Sequence, residues 1–417
     1  MAVRAGGVPG RLRTKAALAA ALLQAAPAGA QGQSVHPIAR HDSVSAAEWA
    51  PLLDAIGTRR IVLLGENGHG VSEFSTLKVG LIQQLHQRGY DLVLFESGLA
   101  ECHRAAQGPN DAPLSTVLRR CLGYAFEHAE LLPLFRTFRD ARESEHPLEF
   151  GGMDLQIQGN DAIGRGRIFG NALRVVAPEL ADSLVRMDSL LVATSLAGRD
   201  SLLPWIARHG GEVEAAYRTA ADQVWGLARL ALRMNAANLA RLREQADAAR
   251  EGRGALSAEY YATRDRWMAH AVAYLADSMG RTRNVIIWLH DDHARRDSLD
   301  TPAGRVRAVG SYLAAWYPGE TFSLGFLMGG GEVADNSRRT RAVPAATSGG
   351  LESLFTDVQG EVGYVMVRGR DGLPEAWSRV ERPYLRAGLG TSRLTPAAAF
   401  DAMMYVRKVS PPSYRLP

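Results

Sequence analysis

Four stretches of this 417-residue chain place ionisable side chains directly after short apolar runs. Ile61-Val-Leu-Leu64 leads into Gly65-Glu66-Asn67-Gly68-His69-Gly70, and Leu92-Val-Leu-Phe95 ends at Glu96. The run from Leu148 ends at Asp154, and Val285-Ile-Ile-Trp-Leu289 runs into His290-Asp291-Asp292-His293. A carboxylate three residues from an imidazole can orient it, and an imidazole titrates close enough to neutrality to take a proton from water. His290 and His293 flank two aspartates and form a second cluster with both donors and acceptors. A water held between the clusters would be activated for attack on an ester or related acyl carbon. Taken singly, each residue also has a structural reading. Glu96 or Asp154 could cap a following helix, and a lone histidine after a strand could simply bond its neighbours. Four strand ends together favour one shared site, because open α/β sheets bind ligands beyond the carboxyl ends of their strands.

Other chemistries find less support. A serine hydrolase of the nucleophile-elbow type needs Gly-x-Ser-x-Gly, and the chain contains no such pentapeptide. Cys102 and Cys121 are the only cysteines. They could form a disulfide or remain two buried thiols, and neither lies in a CxxC arrangement. A metal is the main competitor, since His69, His290, His293, Glu66 and Glu96 could furnish ligands. The zincin HExxH pattern is missing, however, and His290-x-x-His293 follows a strand. Direct attack by water, with no cofactor, is the preferred hydrolytic route.

The elements that must hold these residues read as α/β. Positions 43–59 suggest an entry helix. Positions 72–88 carry Phe74, Leu77, Leu81, Ile82 and Leu85 at helical spacing, with Gly89 closing the helix before the next strand. Strand, loop, helix, strand is a βαβ unit and favours parallel pairing. A helix is expected over 129–142. Positions 163–277 are almost continuously helical in pattern, broken near Gly198, Gly210-Gly211 and 252–254, and read as a helical lobe inserted between strands. Further strands are expected at 322–328, 363–368 and 403–409, with a helix over 304–316. The fold class is therefore a central, mostly parallel sheet with flanking helices and an inserted lobe.

The chain opens with Arg4, Arg11, Arg13 and Lys15, an alanine- and leucine-rich run over 16–26, and Ala28-Gly29-Ala30, the pattern of a secretory signal over 1–30. The run is too short to span a bilayer, and export to the periplasm or medium is expected, with no membrane attachment after cleavage. The formal net charge of +4 is carried by those four basic residues, so the remainder is neutral and has no basic block for nucleic acid.

With these residues in place, the chain resembles the erythromycin esterase family from about residue 45 to the end. The resemblance rests on Leu64-Gly-Glu-Asn-Gly-His-Gly70 with Glu73-Phe74, on Phe95-Glu96-Ser97, and on Gly151-Gly-Met-Asp-Leu-Gln156. It continues through Arg264-Asp265 with Trp267-Met268, Trp288-Leu-His-Asp-Asp-His293, and Phe400-Asp-Ala-Met-Met-Tyr-Val406. It implies hydrolytic opening of a macrolide lactone or related small-molecule ester. His69 is then general base for water, Glu66 its orienting partner, and Glu96 and His290 further active-site positions. Arg264 is assigned to binding or oxyanion support, and His293, Lys78 and Asp154 to the substrate-binding surroundings. Two positions depart from the family pattern. Lys78 stands where an arginine is usual, and Asp291 where asparagine is usual; an added carboxylate beside His290 is expected to favour its imidazolium form. The resemblance also carries a second reading, a non-catalytic protein that holds haem or a metal ion with the same side chains.

Overall fold

The computed structural model describes residues 35–158, 162–277, 282–346, 348–369, 371–386 and 390–417. The expected leader at 1–30 lies outside the described residues. Eight strands form the central sheet: β1 (His36–Ile38), β2 (Ile61–Leu64), β3 (Leu92–Gly98), β4 (Glu149–Asp154), β5 (Val285–Trp288), β6 (Thr321–Met328), β7 (Val362–Met366) and β8 (Ala402–Val406). Their spatial order is β1-β7-β8-β6-β2-β5-β3-β4. The six strands from β8 to β4 are mutually parallel, and β7 runs antiparallel to both of its neighbours.

Both faces of this sheet are covered, which is why the central strands β2 and β5 are apolar at every position rather than at alternate ones. Val62, Leu64, Val93, Phe95, Ile286 and Trp288 point into one core. That core is closed by α1 (Ala46–Ile56), α2 (Ser72–Gln87), α3 (Leu99–Ala106), α4 (Leu114–Cys121) and α5 (Leu132–Ala141). Ile61, Leu63, Leu92, Leu94, Val285 and Ile287 point into the other. The chain between β4 and β5 forms α6 (Arg167–Val176), α7 (Pro178–Leu196), α8 (Arg199–Ala221), α9 (Gly226–Arg250) and α10 (Ala258–Asp277). These helices build a third core around Phe169, Leu184, Tyr217 and Leu239. Through Leu230 and Met234 of α9 and Met268 and Val272 of α10, the lobe also roofs the second face of the sheet, beside α11 (Val309–Trp316).

Three local expectations need correction. Gly210-Gly211 does not break the lobe, because α8 runs through it and Gly210 gives room to the Arg243 side chain. The helix expected over 304–316 begins only at Val309, since Gly304–Arg307 pairs with Ser298–Thr301 as a hairpin. The helix expected from 129 opens with a 3-10 turn over Ala129–Leu131, ahead of Pro133.

Candidate active site

The four strands that end in ionisable residues are adjacent in the sheet, in the order β2-β5-β3-β4. The backbone ladder continues past the strands: Leu289 N–H donates to Leu64 O (3.2 Å) and Asp291 N–H to Glu66 O (2.8 Å). This locks the loop carrying His69 to the segment carrying His290. The rings of His69 and His290 meet edge to face with centroids 5.3 Å apart. Gly65 lets the loop approach that segment, and Gly70 lets it approach Ala334. A Cβ on Gly65 would lie 2.0 Å from Asp291 Oδ1, and one on Gly70 would lie 2.1 Å from Ala334 O.

Glu66 lies at the base of the site, 1 % exposed. Its Oε1 is 2.6 Å from His69 Nδ1. Its Oε2 accepts from Lys78 Nζ at 2.6 Å and from Trp288 Nε1 at 2.9 Å. The Lys78 ammonium also sits 4.5 Å from the centre of the Trp288 ring. Burial alone would raise the Glu66 carboxyl, but Lys78 and His69 outweigh it and hold it below its usual range. An ionised carboxylate only accepts, so neutral His69 carries its proton on Nδ1 and leaves Nε2 bare. Phe126 packs against this ring at 4.7 Å between centroids.

His290 has the opposite polarity. It caps the one-turn helix Asp291–Ala294, and its Nδ1 accepts from Asp292 N–H at 3.1 Å. Burial lowers it well below its usual value, Glu96 notwithstanding. The ring is therefore neutral with its proton on Nε2. The expected effect of Asp291 on His290 is not found. Asp291 turns away, and both of its carboxyl oxygens lie 3.2 Å from Phe326 N–H. Burial pushes Asp291 well above the ordinary carboxyl range, and its carboxyl faces the Phe326 amide rather than the His290 ring.

Arg264 of α10 ties together the ends of β3 and β4. Its Nη2 donates to Glu96 Oε1 and Asp154 Oδ2, both at 2.6 Å, its Nε to Asp154 at 3.2 Å, and its Nη1 approaches His293 Nε2 at 2.9 Å. Glu96 sits at a bulge in β3, where Phe95 to Gly98 faces Gly152 to Asp154, and its Oε2 accepts the His290 backbone N–H at 2.8 Å. Burial opposes ionisation of Glu96, but His293 and Arg264 outweigh it and hold the carboxyl well below its usual range. His293 Nδ1 meets Asp265 Oδ1 at 2.7 Å. The Arg264 contact asks for a bare Nε2, whereas three carboxylates around one guanidinium favour a second positive charge. The carboxylate surplus wins: burial lowers His293, but Asp265 and Glu96 raise it to about 9, with Nε2 facing Glu96 Oε1 at 3.5 Å.

All eight residues singled out from the sequence thus lie on one connected edge of the sheet, but not all can face a ligand. Lys78 is fully buried beneath Glu66, and Asp154 is 1 % exposed beneath Arg264, so the expected contact of either with substrate does not fit its position. Arg264 spends its Nε and Nη2 donors on Glu96 and Asp154, and only Nη1, beside His293, keeps N–H groups outside these ion pairs. His69 and His290 keep accessible ring surface, 16 % and 17 % of their side chains. Among the described residues no three His, Cys, Asp or Glu converge as a metal-binding group, since the carboxylates are held by Lys78, Trp288 and Arg264. Four contributors went unassigned in the sequence: Trp288, Asp265, Phe126, and Arg386 of the strand Arg382–Arg386, which pairs with Asp292. Trp288 and Asp265 stand beside assigned residues, which was a usable signal. Phe126 and Arg386 arrive from remote segments and carry none.

Fold and site define a three-layer α/β protein with a carboxylate-braced pair of histidines at the strand ends. A model of the erythromycin esterase family matches residues 85–409, and the chain belongs to that family of hydrolases. The loop with Glu66 and His69 precedes the matched stretch. YbfO of Bacillus subtilis (strain 168), which bears a hydrolase name, is 23 % identical over 380 residues, covering 85 % of this chain and 84 % of its own. Among solved structures, a Bacillus cereus protein superposes with TM-score 0.75 at 16 % identity, covering 92 % of this chain and 97 % of that one. A variant of the erythromycin esterase EreC in its open conformation gives 0.64 at 15 %, covering 92 % and 100 %. At such identities the structural likeness speaks to the fold.

Proposed function

We propose that this protein hydrolyses a carboxylic ester or lactone by direct attack of water, with His69 as general base and His290 as hydrogen-bond donor. One observation carries the reading: two imidazoles in opposite tautomers meet at 5.3 Å, one with a bare Nε2 and one with Nε2–H. A water bound at His69 Nε2 gives its proton to that nitrogen while its oxygen bonds to the acyl carbon. The carbonyl oxygen becomes the oxyanion, and His290 Nε2–H supplies a donor that gains strength as charge develops. On collapse the C–O bond breaks, and His69 returns the proton to the departing alkoxide. The products are a carboxylic acid and an alcohol, which remain one molecule if the substrate is a lactone. Glu66 fixes the His69 tautomer, and Glu96, through the His290 backbone N–H, fixes the second ring.

Macrolide lactones are the substrate class that the family suggests. The leader pattern at 1–30 and the Cys102–Cys121 disulfide support an exported protein. The reading is tested with His69→Ala, expected to lower ester or lactone hydrolysis by at least about 100-fold with unchanged circular dichroism and melting temperature. Turnover comparable to the parent would refute it.

A further inference from the structure

Arg241 of α9 is 8 % exposed, yet no carboxylate among the described residues lies within ion-pair distance of it. Its Nε donates to Tyr260 O at 2.9 Å and its Nη1 to Asn238 Oδ1 at 3.4 Å. The guanidinium lies over the Tyr260 ring, 4.6 Å from its centre. None of these partners is charged. Asp154 and Asp265 act on Arg241 only at a distance, and Arg264 and His293 already occupy them. A buried charge left in this state costs several kcal/mol unless something compensates it, and burial accordingly pulls Arg241 below its ordinary value.

Arg241 also lines a cavity of about 630 Å³ between α8, α9 and α10. Each acidic residue around that cavity already has its own partner. Glu244 accepts from Ser257 N–H and Oγ, Glu259 from Arg266 and Thr263, and Asp222 faces Arg233. Arg266 and Arg233 are thus paired within the lining and Arg218 with Glu214, so of the four arginines at the cavity the most buried, Arg241, is the one with no ion-pair partner among the described residues. Tyr260 and Trp267 add aromatic wall. The volume falls in the range of small-molecule sites. A planar guanidinium fork in such a place selects a bidentate oxyanion.

We propose that this cavity is a second ligand site, separate from the histidine pair, which takes a small molecule bearing a carboxylate or phosphate group and seats that group on Arg241. The proposal does not depend on the ester-hydrolase reading, since no residue of the histidine pair takes part. Inorganic phosphate and benzoate are the probes, each titrated against sodium chloride at matched ionic strength while the melting temperature is followed. For the parent, at least one probe is expected to raise the melting temperature saturably above the chloride control, as mass action requires of a ligand that binds only the folded state. The probe that does so identifies the head group. Arg241→Gln is expected to lose the response. Should that variant fail to fold, Arg241→Lys, which keeps the charge but not the fork, is expected to weaken apparent affinity about tenfold or more. A parent that follows the chloride control with both probes, or a variant that responds like the parent, overturns the proposal.

Discussion

Glu66 is the residue on which the site depends, because it is buried, ionised and bonded on both oxygens. Lys78 supplies a full positive charge touching it, an ammonium where an arginine is usual. Removing one member of such a pair strands the other. Lys78→Met should cost about 3–5 kcal/mol by chemical denaturation, whereas the Lys78→Met/Glu66→Gln double variant should recover most of the stability and none of the hydrolysis. A double variant no more stable than the single would show that the pair is not the unit described. Asp291 makes a second residue-scale case. Its folded value is raised above the unfolded one, so its contribution is fully present below about 4 and is lost as pH rises through the folded value. Asp291→Asn removes that loss. It should melt at or above the parent at neutral pH, with the difference fading towards pH 4, and should keep hydrolysis within a few-fold. A large drop in activity would mean that the Asp291 charge matters after all.

At the scale of elements, the site is assembled from strand ends but its wall is delivered by a cross-linked segment. The Cys102–Cys121 disulfide joins α3 to the end of α4. The chain then turns into the 3-10 element Tyr124–Phe126, which sets Phe126 against His69. Closing a loop with a sequence separation of 19 stabilises the fold by about 3 kcal/mol in the chain-entropy model. Replacing both cysteines by alanine should therefore lower the denaturation midpoint and raise KM more than it lowers kcat, since the wall loosens while the histidine pair stays. An equal fall in both kinetic terms at unchanged stability would contradict this division. The bulge in β3 belongs to the same scale: one extra residue turns Glu96 towards the His290 backbone.

For the whole molecule, the charge clusters set a window of pH. Glu66 and Glu96 are held below their ordinary values, so the stability they contribute is present above the usual carboxylate range and is lost as pH falls through the depressed values. His293 works from the other side. Raised to about 9, it contributes stability that is complete below about 6.5 and lost as pH rises through 9. The melting temperature should fall by a few degrees between pH 6.5 and 9, and His293→Gln should melt lower but nearly flat across that interval. A parent curve with no alkaline decline would remove the imidazolium from the buried network.

The sequence by itself determined the strands that end in chemistry. Apolar runs stopping at Glu66, Glu96, Asp154 and His290 are local patterns, and their βαβ context dictates parallel pairing. It also separated the helical lobe, whose apolar spacing is continuous enough to read without contacts. Tertiary structure alone decided which of those side chains face outwards. Lys78 and Asp154 carry the same charges as exposed residues in the sequence, and only packing under Glu66 and Arg264 makes them supports. The tautomers of His69 and His290 were likewise illegible. A proton's place on an imidazole is set by whichever acceptor or donor lies within hydrogen-bond distance, and for these rings the choice depends on a buried carboxylate and a helix-cap amide fixed by the fold.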